Sequence, residues 1–278
     1  MNTDQNNQTS PVLLSFGLFA DLHYADKIYS GRHCAESGDK LRVCIDDFNS
    51  RELALAVCLG DVIDHVGVRE EELQNLATMR EEIARFRGDV HVLMGNHDLD
   101  ALPKDEFLQN CGTVRPERFY SFDMDAVHFV VLDGNYLEDG TEYEPGNFMW
   151  DGAWLSADQI TWLEDDLKAH SSGPVIVFCH QNIDERFWGT DRDGHCLCNA
   201  ADVRPVLERA GNVSAVFQGH SHGGHYENQK GVTYVTLRAM VEGPGLENNA
   251  YAIASLHEDR SLTVEGFGQQ ESCVITPG

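Results

Sequence analysis

Six short apolar runs, most of them ending on a carboxylate, an imidazole or an amide, constrain this chain more than any other feature. They are VLLSFGLFAD (12–21), LALAVCLGD (53–61), VHVLMGNHD (90–98), VHFVVLDG (127–134), PVIVFCHQ (174–181) and VSAVFQGHSH (213–222). Runs this short, rich in β-branched and aromatic residues, read as strands buried on both faces. VTYVTL (232–237), YAIASLHE (251–258) and LTVEGF (262–267) follow closely, with no helical pattern between them.

Amphipathic helices separate the earlier strands. In EEELQNLATMREEIARFRG, Leu73, Leu76, Ile83 and Phe86 share a face and Gly88 is the expected stop. In LSADQITWLEDDLKAH, Ser156 and Gln159 form a capping box. AADVRPVLERAG ends on Gly211, a C′ glycine. Alternating strands and helices followed by a run of strands predict an α/β sandwich of two sheets. No linker or repeat interrupts it, so the expected organisation is a disordered tail over 1–11 and one domain over 12–278. The segment 134–154, GNYLEDGTEYEPGNFMWDGAW, is too long for an ordinary connection and is the expected substrate-facing loop.

In open α/β sheets, ligands bind beyond the C-terminal ends of strands, and the polar clusters fall there. Asp21 and His23 follow the first strand as D-L-H, and Asp61 and Asp64 the second as G-D-V-I-D. Asn96 and His97 follow the third, His180 follows PVIVFC, and His220 and His222 close G-H-S-H. One such cluster is ordinary turn chemistry. Five in order read as a metal site. Carboxylate, imidazole and amide donors without thiolate suit Mn, Fe, Ni or Zn rather than a structural zinc. Seven ligands suit two ions with Asp61 as bridge, the arrangement that clamps both oxygens of an in-line displacement at phosphorus.

These motifs, in this order, resemble the calcineurin-like metallophosphoesterase signature from about Phe16 to the strands near 265. The resemblance implies an α/β/β/α sandwich with a dimetal site at the strand ends. Asp21, His23, Asp61 and His222 would hold one ion, and Asp61, Asn96, His180 and His220 the other. It further implies attack by a hydroxide bridging the ions, with His97 protonating the leaving oxygen and Asp64 orienting its ring; Asp98 would support the turn. FADLHYADK, LSADQITWLEDDL and the GVTYVTLRAMVEGPG tail resemble the Mn-dependent ADP-ribose/CDP-alcohol diphosphatase branch, which cleaves the diphosphate of small nucleotides. Animal members of that branch carry glutamine where His23 stands. That departure keeps a second expectation open, a 3′,5′-cyclic-nucleotide phosphodiesterase. A non-catalytic scaffold is the third, and it should have lost ligands.

Scarce positive charge gathers at Arg32, His33 and Lys40, where a second phosphate could be received; a solvated helix start is the competing reading. His65 and His225 adjoin motifs without being expected ligands, and DGHCLCN (193–199) could contact a base. Net charge is −26, from 46 acidic against 20 basic residues. Such a surface disfavours nucleic acid and anionic membrane as partners, and bound cations would reverse the field locally for a phosphate. Eight cysteines without a framework, no membrane-length apolar run and a polar start predict a cytoplasmic protein.

Overall fold

The computed structural model describes residues 10–276. Strand β1 (Val12–Phe19) sets the layering. Leu14, Phe16 and Leu18 join an apolar cluster shared with a second sheet, whereas Phe19 joins the cluster under the helices, as period-two alternation requires. Gly17 faces helix α1 (Ser37–Ser50), where a Cβ would stand 2.3 Å from the Phe48 ring. A residue without a side chain lets strand and helix close that far.

In the first sheet, β1 pairs in parallel with β4 (Leu55–Cys58), and β4 with β5 (Asp89–Val92). On its other side β1 runs antiparallel to β14 (Ala250–His257), which continues to β15 (Leu262–Gly268) and β16 (Cys273–Ile275). The second sheet has parallel β13 (Val232–Arg238), β11 (Val213–Gln218), β8 (Val175–Cys179) and β7 (Val127–Val131) at its centre. Antiparallel β12 (Gly223–Gln229) and β6 (Tyr120–Met124) form its edges. Two short ribbons stand apart, β2 (Ile28–Tyr29) with β3 (Arg32–His33), and β9 (Phe187–Trp188) with β10 (Asp191–Arg192).

Between the sheets the edge of Phe16 meets Phe129, Phe178 and Phe217 at centroid distances of 5.6, 6.0 and 5.9 Å, the geometry aromatic quadrupoles favour. Helices α1 and α2 (Arg69–Ile83) pack together on the first sheet, α5 (Ala157–Ala169) and α6 (Ala200–Ala210) on the second. The expected α/β/β/α sandwich is the fold. Two short helices, α3 (Asn96–Ala101) and α4 (Lys104–Asn110), follow β5.

Several details differ from expectation. β6, β12 and β16 have no strong apolar pattern because they sit at sheet edges, half in water. Helix α2 stops at Ile83 rather than near Gly88, its last turns tightening so that Phe86 is buried outside the helix. Ser156 does cap α5, accepting from the Gln159 amide at 3.3 Å. The Gln159 side chain does not return to the cap; it binds both the N–H and the C=O of Asp133. Gly211 is left-handed at the end of α6, φ 71°. Of the expected tail, residues 1–9 lie outside the described residues. Ser10 and Pro11 do not belong to it, because both bind the β14–β15 turn through His257, Glu258 and Asp259. All eight cysteines are free, and no helix among the described residues is long and apolar enough to cross a membrane.

Candidate metal centre

The loops leaving β1 and β4 run side by side, with Asp21 N–H donating to Gly60 O, His23 N–H to Asp61 O and Tyr24 N–H to Val62 O. This pairing sets Asp21, His23 and Asp61 in left-handed backbone, φ 56°, 44° and 53°, and His220 follows at 67°. Neighbouring glycines make the room. A Cβ on Gly95 would lie 2.0 Å from Asp61 Oδ1, one on Gly60 2.7 Å from His180 Nδ1, and one on Gly219 2.9 Å from Asp21 Oδ2. The glycines of G-D-V-I-D, G-N-H-D and G-H-S-H are therefore contact residues of the site.

Asp61 stands at its centre. Oδ1 accepts from the His97 amide at 2.9 Å, and Oδ2 lies 3.3 Å from both His23 Nε2 and His180 Nε2. Donor atoms of Asp21, His23 and His222 converge on one side, and those of Asp61, His180 and His220 on the other. Asn96 Oδ1 is 3.2 Å from His180 Nε2. All seven residues expected to bind metal come together, and all but His222 are buried.

Outer hydrogen bonds set the tautomers. His180 Nδ1–H donates to Leu59 O at 2.7 Å and His220 Nε2–H to Trp150 O at 3.0 Å. His222 Nδ1–H donates to the Glu242 carboxylate at 2.6 Å. These partners only accept, so each neutral ring turns a lone pair inward. His23 Nε2 and His222 Nε2 face one another at 3.1 Å, a contact that a cation between them would relieve. His23 is the exception on its outer side, where Nδ1 meets a donor, Arg32 Nη1, at 3.3 Å.

The electrostatics call for positive charge. Burial raises the Asp21 carboxyl above its usual range and lowers His23 well below the imidazole range. Burial also opposes ionisation of Asp61, but His180, His23 and His97 outweigh it and hold that carboxyl well below normal. Burial pushes His180 down, yet Asp61 and Asp21 lift it to about 9. Divalent cations in the same place would supply positive charge to these buried carboxylates. The donor set, the charge and the tautomers of His180, His220 and His222 fit metal, and His23 would fit once Arg32 turned from its Nδ1.

His97 also comes together with His23 and Asp61, while its Nδ1 is turned outward. Nδ1 lies 3.0 Å from Asp64 Oδ1, and the ring borders the cleft. Burial would lower His97, but Asp61 and Asp64 raise it. Asp64 is also touched by Arg32 at 3.3 Å and Lys27 at 3.4 Å. Despite its burial, the bond to His97 and the charges of His23, His97 and Arg32 hold its carboxyl well below the usual range. Asp98 does support the turn, accepting from the amides of Val62, Ile63 and Gly95.

A cleft of about 510 Å³ opens over these groups, walled by Tyr29, Arg32, Trp150, His195 and Glu242. Trp150 brings in the 134–154 segment and His195 the DGHCLCN segment. Arg32 lines the cleft while contacting His23 and Asp64. His33 turns to Glu36 at 3.1 Å instead. Lys40 is a correction: it is fully buried, and Nζ donates to the carbonyls of Met240, Glu242 and Gly243 at 2.9, 3.0 and 2.8 Å. Three carbonyls of the 240–243 loop lack partners of their own, and an ammonium has three protons for them. His65 binds Glu72 and His225 faces Asp184 and Glu227, both outside the seven. Glu242 was missed, since one glutamate in RAMVEGPG carries no signal until the fold puts it beside His222.

The family model for calcineurin-like phosphoesterase matches residues 14–224. The chain belongs to that family. This calcineurin-like phosphoesterase is a hydrolase, and several of its relatives are named as manganese-dependent. A rice protein, 25% identical with 91% of each chain covered, is named manganese-dependent ADP-ribose/CDP-alcohol diphosphatase. A human protein of the same name is 24% identical, with 96% of this chain and 94% of the relative covered. A dimetal phosphatase structure from Danio rerio, 24% identical, shares the fold with a TM-score of 0.84 over 96% of this chain and 100% of the other.

Proposed function

We propose that the chain is a dimetal hydrolase that cleaves the diphosphate of small nucleotides of the ADP-ribose or CDP-alcohol kind. The observation that carries the reading is Asp61 Oδ2, equidistant at 3.3 Å from a ring nitrogen of each convergent set. Asp21, His23, Asp61 and His222 would hold one ion and Asp61, Asn96, His180 and His220 the other, with manganese the fitting metal for carboxylate, imidazole and amide donors. Bound there, the ions would make a nucleophile of water near neutral pH and draw charge from the phosphoryl oxygens. His97, held through Nδ1 by Asp64, would give the proton on Nε2 to the leaving oxygen. Arg32 would turn from His23 toward the second phosphate. Relatives named for ADP-ribose and CDP-alcohols over nearly the whole length support the substrate class. Free thiols fit a reducing compartment, for which the cytoplasm is the natural assignment.

One observation favours a second reading. His23 stands in the D-x-H position, a ligand set also suited to a 3′,5′-cyclic nucleotide. Full-length protein with Mn²⁺ should release AMP from ADP-ribose and leave cyclic AMP intact, followed chromatographically. AMP from cyclic AMP alone would overturn the diphosphate assignment.

A further inference from the structure

Beyond β8 the chain passes through Gln181, Asn182 and Ile183 to Asp184, a fully buried carboxylate. Oδ1 accepts from Gln218 Nε2 at 2.7 Å. Oδ2 has no hydrogen-bond partner. It lies 3.9 Å from His225 Nε2, which also has none, and His225 Nε2 is 3.5 Å from Glu227 Oε2. His225 and Glu227 project from one face of β12, two residues apart. Across the ladder from Glu227 stands Tyr234, whose buried hydroxyl is a further atom without a partner.

Positive charge is short here. Arg186 Nε is 3.3 Å from Asp184 Oδ2, but the same nitrogen is 3.7 Å from Asp193, and its guanidinium also reaches Asn182. Arg204 is taken by Glu185 and Gln229. One guanidinium thus serves the carboxylates of Asp184 and Asp193, and among the described residues the Glu227 carboxylate meets only His225. Arg186 Nε stands near Asp184 Oδ2 without making a hydrogen bond to it, and a buried carboxylate oxygen left so costs stability. The His128 cluster at the opposite end of this sheet differs, because both its ring nitrogens already meet carboxylates, Asp123 at 2.7 Å and Asp166 at 2.8 Å.

We propose that Asp184, His225 and Glu227 form a further divalent-cation site, separate from the seven residues around Asp61. One imidazole and two carboxylates suit zinc with water completing the shell. Zinc bonds of about 2.0–2.1 Å place tetrahedral ligand atoms roughly 3.3 Å apart, against 3.9 and 3.5 Å from His225 to the two carboxylates and all three atoms within 4.8 Å of one another. The ion would pin edge strand β12, which follows His222, to the loop that follows His180.

The test is zinc content. Full-length protein is saturated with Zn²⁺, gel-filtered, and counted for metal per chain, beside His225→Ala and Glu227→Gln. Each variant should carry one zinc ion fewer than the parent, while Mn²⁺-supported hydrolysis stays unchanged. Equal zinc in the parent and both variants would overturn the site, and so would a lost ion accompanied by lost hydrolysis, since the ion would then belong to the Asp61 centre. Glu227 is partly exposed, so its glutamine variant should fold even if His225→Ala does not. The zinc count is independent of the substrate, so a failure of the diphosphatase reading leaves it standing.

Discussion

Asp21, His23, Asp61 and His220 hold positive φ without being glycine, at a cost of about 1–3 kcal/mol each. Strain at four neighbouring positions persists where the surrounding loops over-determine it, and here it aims donor atoms at common points. On the proposed function, side chains around those points divide by task. Asp61→Asn removes the carboxylate proposed to serve both ions and should abolish turnover with a fall in bound Mn²⁺ by elemental analysis. His97→Ala should keep the metal and lower kcat by roughly 10²–10⁴, the usual range for a lost general acid. Loss of both ions from His97→Ala would refute that division. Arg32→Ala should raise KM for ADP-ribose more than for a simple aryl diester; equal effects on the two would remove its phosphate role. The motif residues were legible because each needs a particular chemistry beside a strand end. Lys40 misled because a lysine in sequence shows charge, not the carbonyls waiting for it.

At the scale of elements, the site is the meeting of loops from two sheets, and Lys40 is one of the pegs. Lys40→Met leaves three carbonyls without their donor and should cost roughly 3 kcal/mol in urea denaturation. At saturating metal, KM for ADP-ribose should not change. A selective rise in KM without loss of stability would restore its phosphate role. On β5, His91 stacks on Phe122 with centroids 4.0 Å apart and bonds Tyr120 through Nδ1 at 2.7 Å. Burial, aided by Arg115, lowers it to about 4. The unfolded chain binds a proton near pH 6.5 and the folded one only near 4, so the contribution of His91 is complete above 6.5 and is lost as pH falls toward 4. The loss is at most about 3 kcal/mol. His91→Phe should flatten that part of the stability–pH curve, and an unchanged slope would show that other groups set it.

For the whole molecule, a net charge of −26 means that folding gathers like charges against their repulsion. The Debye length falls from about 30 Å at 0.01 M salt to about 3 Å at 1 M, and exposed ion pairs lose little in return. Added NaCl should therefore raise Tm of the metal-saturated protein. A falling Tm would mean that the ion pairs outweigh the net charge.

The sequence by itself determined a two-sheet α/β sandwich and the seven convergent residues, and its resemblance to a family implied the α/β/β/α layering. Strand patterning is a local consequence of burial, and a donor next to each strand end needs only that strand to be placed. The pairing of Asp64 with His97 was implied by the family resemblance, and the two side chains do meet at 3.0 Å. Tertiary structure alone decided what lies between loops distant in the chain. It put Glu242 on His222, the Trp150 carbonyl on His220, three carbonyls on Lys40, and Asp184 against His225. Such pairings depend on how two sheets and their loops close in three dimensions, and no spacing along the chain encodes that distance.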